Sequence, residues 1–468
     1  MISIKQFFLE MKFSNGVQAL LCVSAGLLLS GTARADGAVY AMTNALGNNQ
    51  ILVYHRASDG SLSSTPIQTI ATGGGGSGLQ LAGVDSLGSA GSVQLDPAHH
   101  LLFAVNTESS AANNGAGSYN TDCQQGTITS FLVASDGTLT FVDRVFSRGL
   151  FPNSLTVKRR GDGDDKYEFP ELVYVLNAGG PEVAICNAQP PIAGIPNIAG
   201  FKVNKAGYMK PIGTQQPIDP GPASGTGVNC VDATGYAALT GAPAADFECG
   251  LNPPSFPRSP AQIRFTPDGN QLVVTVKGTN TIYVFPVDKN GSADAPTLTQ
   301  APGPALPTFF GFTFDKHENL LVTEFFGTAT SIPAGGKGAV SSFAINLTGG
   351  LSSISSHVAD GGTAACWIAL EPTAGKFAYV SNNLSASISS YAVGTNGSVT
   401  LLAATAASAT GPNDLATATE GVASFLYVVE AGTGTVGAFQ VNLTNGSLIP
   451  LAAVSGLPTI AAQGLAAF

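Results

Sequence analysis

Charge is scarce in this chain of 468 residues: Asp, Glu, Lys and Arg make up 11%, against 44% apolar residues. A disordered chain needs the opposite balance, so disorder is excluded. Helix-forming residues at 3.6 spacing are nearly missing after residue 35, which argues against a helix-rich enzyme. Basic residues number only 20 against 30 acids, leaving no electrostatic footprint for nucleic acid and a poor match to an anionic membrane surface. No apolar run is long enough to cross a bilayer with comfort. What the chain has in quantity is glycine (57) and proline (28). The glycines have no three-residue period, so collagen is excluded and a large, turn-rich all-β protein remains.

The N-terminus reads as an export signal. Lys5 and Lys12 supply positive charge, residues 17–29 form a short apolar core, and Ala33-Arg34-Ala35 gives an A-x-A cleavage pattern before Asp36. Translation could begin at Met1 or at Met11. The expected division is a signal over 1–35 and one folded domain over 36–468, secreted or periplasmic. The mature chain keeps 17 basic and 29 acidic residues, a formal charge of −12.

A repeat runs through that domain: an alternating strand, a turn of Asp or Asn with Gly, then an apolar residue. Its copies are ILVYHRASDGSL at 51, ITSFLVASDGTL at 128, IAGFKVNKAGYM at 198, IYVFPVDKNGSA at 282, VSSFAINLTGGL at 340, ISSYAVGTNGSV at 388 and VGAFQVNLTNGSL at 436. The register aligns Tyr54, Phe131, Phe201, Phe285, Phe343, Tyr391 and Phe439 at one position. Asp-Gly and Asn-Gly supply the positive φ of tight hairpins, and the turns fall at Gly60, Gly137, Gly207, Gly291, Gly350, Gly397 and Gly446. Upstream of most copies lies a second strand pair, as in IRFTPDGNQLVVTVK (263–277) and IALEPTAGKFAYVSN (368–382). Each unit thus has four strands, A to D. Seven such units predict a seven-bladed β-propeller. The first unit lacks strand A, and TIAAQGLAAF (459–468) is left over, so the C-terminus should complete blade 1 and close the ring. Extra residues over 65–91, 107–126, 178–197 and 211–258 belong to D–A and B–C loops, which emerge on one face.

The segments SPAQIRFTPDGNQLVVTVKGTNTIYVF, GFTFDKHENLLVTEFFG, TAACWIALEPTAGKFAYVSN and GPNDLATATEG with FLYVVEAGTGTVGAF resemble the seven-bladed propeller lactonase family, which includes 6-phosphogluconolactonases and carboxymuconate cycloisomerases. The resemblance spans essentially the whole mature chain. It implies hydrolysis or isomerisation of a small carbohydrate- or aromatic-derived lactone at the central mouth. The family's His, Arg and Glu set is not retained at the positions that align, which read Asn153-Ser154, Ser259-Pro260-Ala261-Gln262, Lys277 and Glu324-Phe325-Phe326. The alternative is a non-catalytic ligand-binding or interaction propeller.

The ends of the seven B strands, Asn44, Asn106, Asn177, Lys277, Glu324, Asn382 and Glu430, are expected to ring the mouth. Lys277 would polarise a lactone carbonyl, and Glu324 or Glu430 would act as base. The asparagines, with Asn153, Gln262 and Asn413 from strand A starts, would bind substrate hydroxyls and carbonyls. An ion pair between Lys277 and Glu324 tying blades 4 and 5 is the structural alternative. A small-molecule ligand at the mouth and a monomeric state are expected, with no nucleic acid, membrane, metal or cofactor. His99, His100 and His317 read as solvated turn residues, and His55 and His357 fall on outer strands. TGGGGSG (72–78) lacks the ending of a phosphate loop. DGDDKYE (162–168) lacks the spacing of a calcium loop. Trp367 is the only tryptophan, too few for the docking motifs of quinoprotein propellers.

The mature chain has five cysteines in an oxidising compartment. Cys366 lies in a strand and reads as a buried thiol. Cys123, Cys186, Cys230 and Cys249 fall in the inserted loops and allow three pairings. Cys123–Cys186 and Cys230–Cys249 are favoured, the first joining neighbouring loops and the second closing one loop.

Overall fold

A computed structural model of the protein describes residues 37–78, 85–107, 125–160, 168–179, 196–218, 259–277, 279–300, 308–326 and 337–468. Residues Ala35–Phe468 form one compact unit. Its strands make seven antiparallel sheets, each a blade of a β-propeller in the order A–B–C–D, with a fifth short strand in blade 7. Among the described residues there is no α-helix. Blade 1 is completed from the far end of the chain. Leu465–Ala467 pairs with Ala38–Met42 in the register Val39↔Ala467, Tyr40↔Ala466 and Ala41↔Leu465.

The core lies between blades. Strand B is buried along its whole length in blades 1 to 4 and 6, for example Leu101–Asn106 and Phe377–Asn382. Its sequence is correspondingly a continuous apolar run, such as LLFAV, because a neighbouring blade covers each face. Strand D is the outer edge and is mostly exposed, as in Val399–Ser408. The strand C aromatics Tyr54, Phe131, Phe201, Phe285 and Tyr391 are essentially inaccessible to solvent.

The hairpin turns serve a second purpose. Gly60, Gly137, Gly207, Gly291, Gly397 and Gly446 hold φ between +74° and +89°, conformations that favour glycine. In blade 5 this role falls to Gly349 (φ +83°) and not to its neighbour Gly350. The turn carbonyls then accept hydrogen bonds from an adjacent blade. Tyr40 donates to Gly137 (2.8 Å), Tyr174 to Gly291 (2.7 Å), Tyr379 to Gly446 (2.9 Å) and Tyr427 to Gly60 (2.9 Å). The last of these joins blade 7 to blade 1. At four of the seven seams, therefore, one tyrosine on strand B pins the next blade's hairpin.

Two of the expected insertions begin later than their sequence suggests. Strand D of blade 1 occupies Gln68–Ala71, inside the range 65–91, and strand D of blade 3 occupies Met209–Pro217, which runs into the range 211–258. Residues 1–36, the acidic run over 162–168 except for its last residue, Glu168, and Cys123, Cys186, Cys230 and Cys249 lie outside the described residues. Cys366 is a buried free thiol.

Candidate functional site

The mouth is built by a repeated irregularity. At the start of strand A the register with strand B slips between Pro152/Ser154, Pro260/Gln262, Phe309/Phe312, Ala365/Trp367 and Pro412/Leu415, in blades 3 to 7. A bulge re-aims the side chains of the extra residues. Those residues are Asn153, Ala261, Phe310, Gly311, Cys366, Asn413 and Asp414, all buried.

They are buried because the chain itself fills the mouth. Residues 85–92, from the connection between blades 1 and 2, are buried apart from Gly91. Leu87 N–H donates to Gln463 Oε1 (2.9 Å), and Ser89 O accepts from Gln463 Nε2 (2.6 Å) and Trp367 Nε1 (2.9 Å). Ser89 Oγ donates to Asn153 O (2.6 Å), Ala90 N–H to Ala261 O (3.1 Å) and Gly91 N–H to Asp414 Oδ1 (3.1 Å). These partners belong to blades 1, 3, 4, 6 and 7. A single short segment can reach five blades of a ring only near its axis, so residues 85–92 form a plug in the central mouth.

Lys277 faces this plug. Its Nζ donates to the carbonyl of Gly88 and lies 5.1 Å from the centroid of the Phe310 ring. Burial pushes the ammonium pKa down, and Asp85 opposes that shift. Burial likewise raises the Asp85 carboxyl, opposed by Lys277, so each charge is the other's compensation. Asp414 accepts N–H bonds from Gly91 (3.1 Å) and Gly464 (3.0 Å), yet burial still pushes it up to about 7.

The B-strand ends do not form one matched ring. Four residues beyond the partner of each strand C aromatic lie Thr43, Asn106, Asn177, Val276, Glu324, Asn382 and Glu430. Asn44 and Lys277 each stand one residue further on. Strand side chains alternate in direction, and this offset separates Lys277 from Glu324: Lys277 meets Gly88 of the plug and lies in the field of Asp85, while Glu324 meets His357. His357 Nδ1 is 2.7 Å from Glu324 Oε2, and its ring packs edge-on against Phe326 at 5.2 Å. Burial raises the Glu324 carboxyl, and His357 partly counters it.

The neutral candidates bind neighbouring strands and blades. Asn106 donates to Thr127 (3.0 Å) and Thr129 (3.1 Å) and accepts from Asn49 (3.1 Å) and Thr72 (2.5 Å). Asn177 donates to Ser147 O and Asn197 Oδ1, both 3.0 Å. Asn382 donates to Ser389 (3.3 Å), Asn44 to Ser77 (2.8 Å) and Ala461 O (3.1 Å), and Asn153 to Pro260 O (2.9 Å). Both ends of the Gln262 amide bond Phe312 backbone, and Asn413 donates to Ala462 O (3.3 Å). Glu430 accepts from Thr410 N–H (3.0 Å).

Asp85, Asp414 and His357 were not among the candidates read from sequence. Asp414 had a signal, since it adjoins Asn413 at a strand A start; Asp85 sits in a connection with no repeat to align. His99 is corrected from a solvated turn residue: it lies against Asp96 and Glu171, with its side chain only 14% exposed. Glu171 comes from the next blade, a neighbour that sequence spacing does not reveal.

Residues 260–460 match the family model described as lactonase, 7-bladed beta-propeller. Among solved structures, the chain is similar to the periplasmic gluconolactonase of Pseudomonas aeruginosa (16% identity, TM-score 0.59), over 92% of this chain and 98% of that one. It is also similar to putative 6-phosphogluconolactonases of Bacteroides fragilis (16% identity, TM-score 0.58, 93% and 99% covered) and Bacteroides uniformis (16% identity, TM-score 0.55, 91% and 98% covered). At this identity the likeness establishes the fold. No curated protein sequence matches the chain.

Proposed function

We propose, from the match of residues 260–460 to the seven-bladed β-propeller lactonase family, that the protein is an exported enzyme that opens or isomerises a small lactone at the central mouth. The observation that carries this reading is the convergence of Asp85, Lys277 and Asp414, all buried, on the plug formed by residues 85–92. Buried groups with perturbed pKa values gathered in a cleft are what acid–base chemistry requires. Lys277 already holds a carbonyl oxygen, that of Gly88. A lactone carbonyl entering the same place would be polarised by the same ammonium. Asp414, ionising near 7, would take a proton from water as the ring opens. Glu324 and Glu430 remain candidates for the base, Glu324 through its pairing with His357. Export rests on the apolar core over 17–29 and the A-x-A pattern.

A second reading has its own support. The plug meets the mouth with hydrogen bonds at Leu87, Gly88, Ser89, Ala90 and Gly91, an arrangement that suits a closed, non-catalytic propeller. The two readings separate in one assay. Purified protein is given a panel of aldonolactones and muconolactones while proton release is followed. Turnover that falls at least a hundredfold in Lys277→Met and in Asp414→Asn, with the fold retained, supports the enzyme. Folded wild-type protein inert toward the whole panel would favour the closed propeller.

A further inference from the structure

A second cluster lies away from the mouth, at the A–B turn of blade 2. Asp96 ends strand A of that blade (Val93–Asp96), His99 is in the turn that follows, and Glu171 begins strand B of blade 3 (Glu171–Asn177). His99 Nδ1 is 2.9 Å from Asp96 Oδ2 and also meets Glu171 Oε1. One donor atom from each residue lies within 4.8 Å of the other two. We propose that Asp96, His99 and Glu171 bind one divalent cation of the zinc class and so tie blade 2 to blade 3.

The donor set fits such an ion by chemistry and number. Imidazole nitrogen and carboxylate oxygens bind zinc at about 2.0–2.2 Å. Three protein donors with a water in the fourth position complete a tetrahedron, and the open side exists because Asp96 and His99 keep 11% and 14% of their side chains exposed. A separate observation asks for a ligand here. Glu171 is fully buried, and its Oε2 has no hydrogen-bond donor. Leaving a buried carboxyl oxygen unsatisfied is costly, and burial together with the facing Asp96 pushes the Glu171 carboxyl up to about 9, so the cluster without an ion lacks the positive charge that would hold both groups ionised. Arg159, paired with Glu171 across the strands, adds to the positive field but is exposed. A divalent cation would neutralise both carboxylates and give the buried Glu171 carboxyl the partner it lacks. The bound donors would stand about 3–4 Å apart, given the same metal–ligand lengths, so the turn opens slightly on binding. None of this depends on the mouth or on its chemistry.

The test uses the full mature chain without a histidine tag, stripped with chelator and titrated with zinc chloride in a calorimeter. One equivalent should bind with micromolar or tighter affinity and raise the melting temperature by several degrees. His99→Ala and Glu171→Gln should each lose that equivalent and the thermal shift, whereas His100→Ala, altered at the next turn residue, should keep both. Because Glu171 is buried and its variant could fail to fold, Asp96→Asn at the accessible side serves as the third test of the site. Absence of stoichiometric binding to the wild type overturns the proposal, as does binding that survives His99→Ala and Asp96→Asn. A purely structural hydrogen-bonded triad would show itself as lower stability in the variants with no response to zinc.

Discussion

Arg56 Nε donates to the carbonyl of Phe468 at 2.8 Å, joining strand C of blade 1 to the last residue of the chain. The same guanidinium reaches Glu420 at 3.2 Å and lies 5.9 Å from the centre of the Phe425 ring, both in blade 7. One buried side chain therefore holds together the three parts that meet at the closure of the ring. Removing 459–468 strips blade 1 of its inner strand and takes Gln463 from the plug. The loss should be several kcal/mol, a large share of a typical domain's stability. Arg56→Met should cost about 1–3 kcal/mol, the scale for abandoned buried hydrogen bonds. Denaturant titration measures both, and an unchanged midpoint in the truncated chain would remove the C-terminal strand from any role in closure.

The hairpin glycines permit a paired comparison. Gly60 and Gly421 both have positive φ, +83° and +58°. A β-carbon at Gly60 would lie 2.1 Å from the Phe425 ring, whereas at Gly421 it would meet nothing within 4 Å. Gly421→Ala should therefore cost about 1 kcal/mol for the backbone alone. Gly60→Ala should add roughly 1–3 kcal/mol of overpacking at the blade 7–blade 1 seam. Equal midpoints for the two variants would show that the seam yields freely.

The fold was legible because its information is local and repeated. Asp-Gly and Asn-Gly turns, the aromatic before them and the orphan tail each have a meaning independent of distant contacts. The mouth was not legible for the converse reason. Lys277 looked equivalent to Glu324 because both end an apolar run, and only the strand pairing shows Lys277 one residue further on. Residues 85–92 carry no repeat signal, and their partners Gln463, Trp367 and Asp414 are hundreds of residues away. His99 and Glu171 meet across two blades in the same way.

Lys277 and Asp85 should be coupled energetically. Lys277→Met leaves Asp85 as a buried carboxylate without its cation, at a cost of about 3–5 kcal/mol. Lys277→Met combined with Asp85→Asn removes both charges and should recover much of that loss, the signature of interacting sites in a double-mutant cycle. Trp367 gives an internal readout, since it is the chain's only tryptophan and its Nε1 is bonded to Ser89 of the plug. Its emission should be short-wavelength and shielded from iodide in the wild type. In Lys277→Met it should shift to the red if the plug loosens. Additive single-variant costs with unchanged emission would place the two charges outside a common unit.

Asp414 sets a pH dependence with a definite sign. Burial raises its carboxyl to about 7 in the folded protein, above the unfolded value of about 3.9. The folded state thus holds a proton that the unfolded state releases between those two values. This group's contribution is fully present below about pH 4, declines as pH rises through the window, and is lost above about 7. A shift of roughly three units corresponds to about 4 kcal/mol. Carboxylates held low by their turns, such as Asp59, Asp136 and Asp288, slope the other way, so the wild-type curve alone is not diagnostic. The difference between wild type and Asp414→Asn isolates the group. Asn has no proton to release, so the variant should gain stability relative to wild type as pH rises from 4 to 7, by up to one proton's slope. Urea midpoints taken at half-unit steps across that window would show it. Parallel curves would mean that Asp414 ionises at its ordinary value, and that the bonds from Gly91 and Gly464 outweigh its burial.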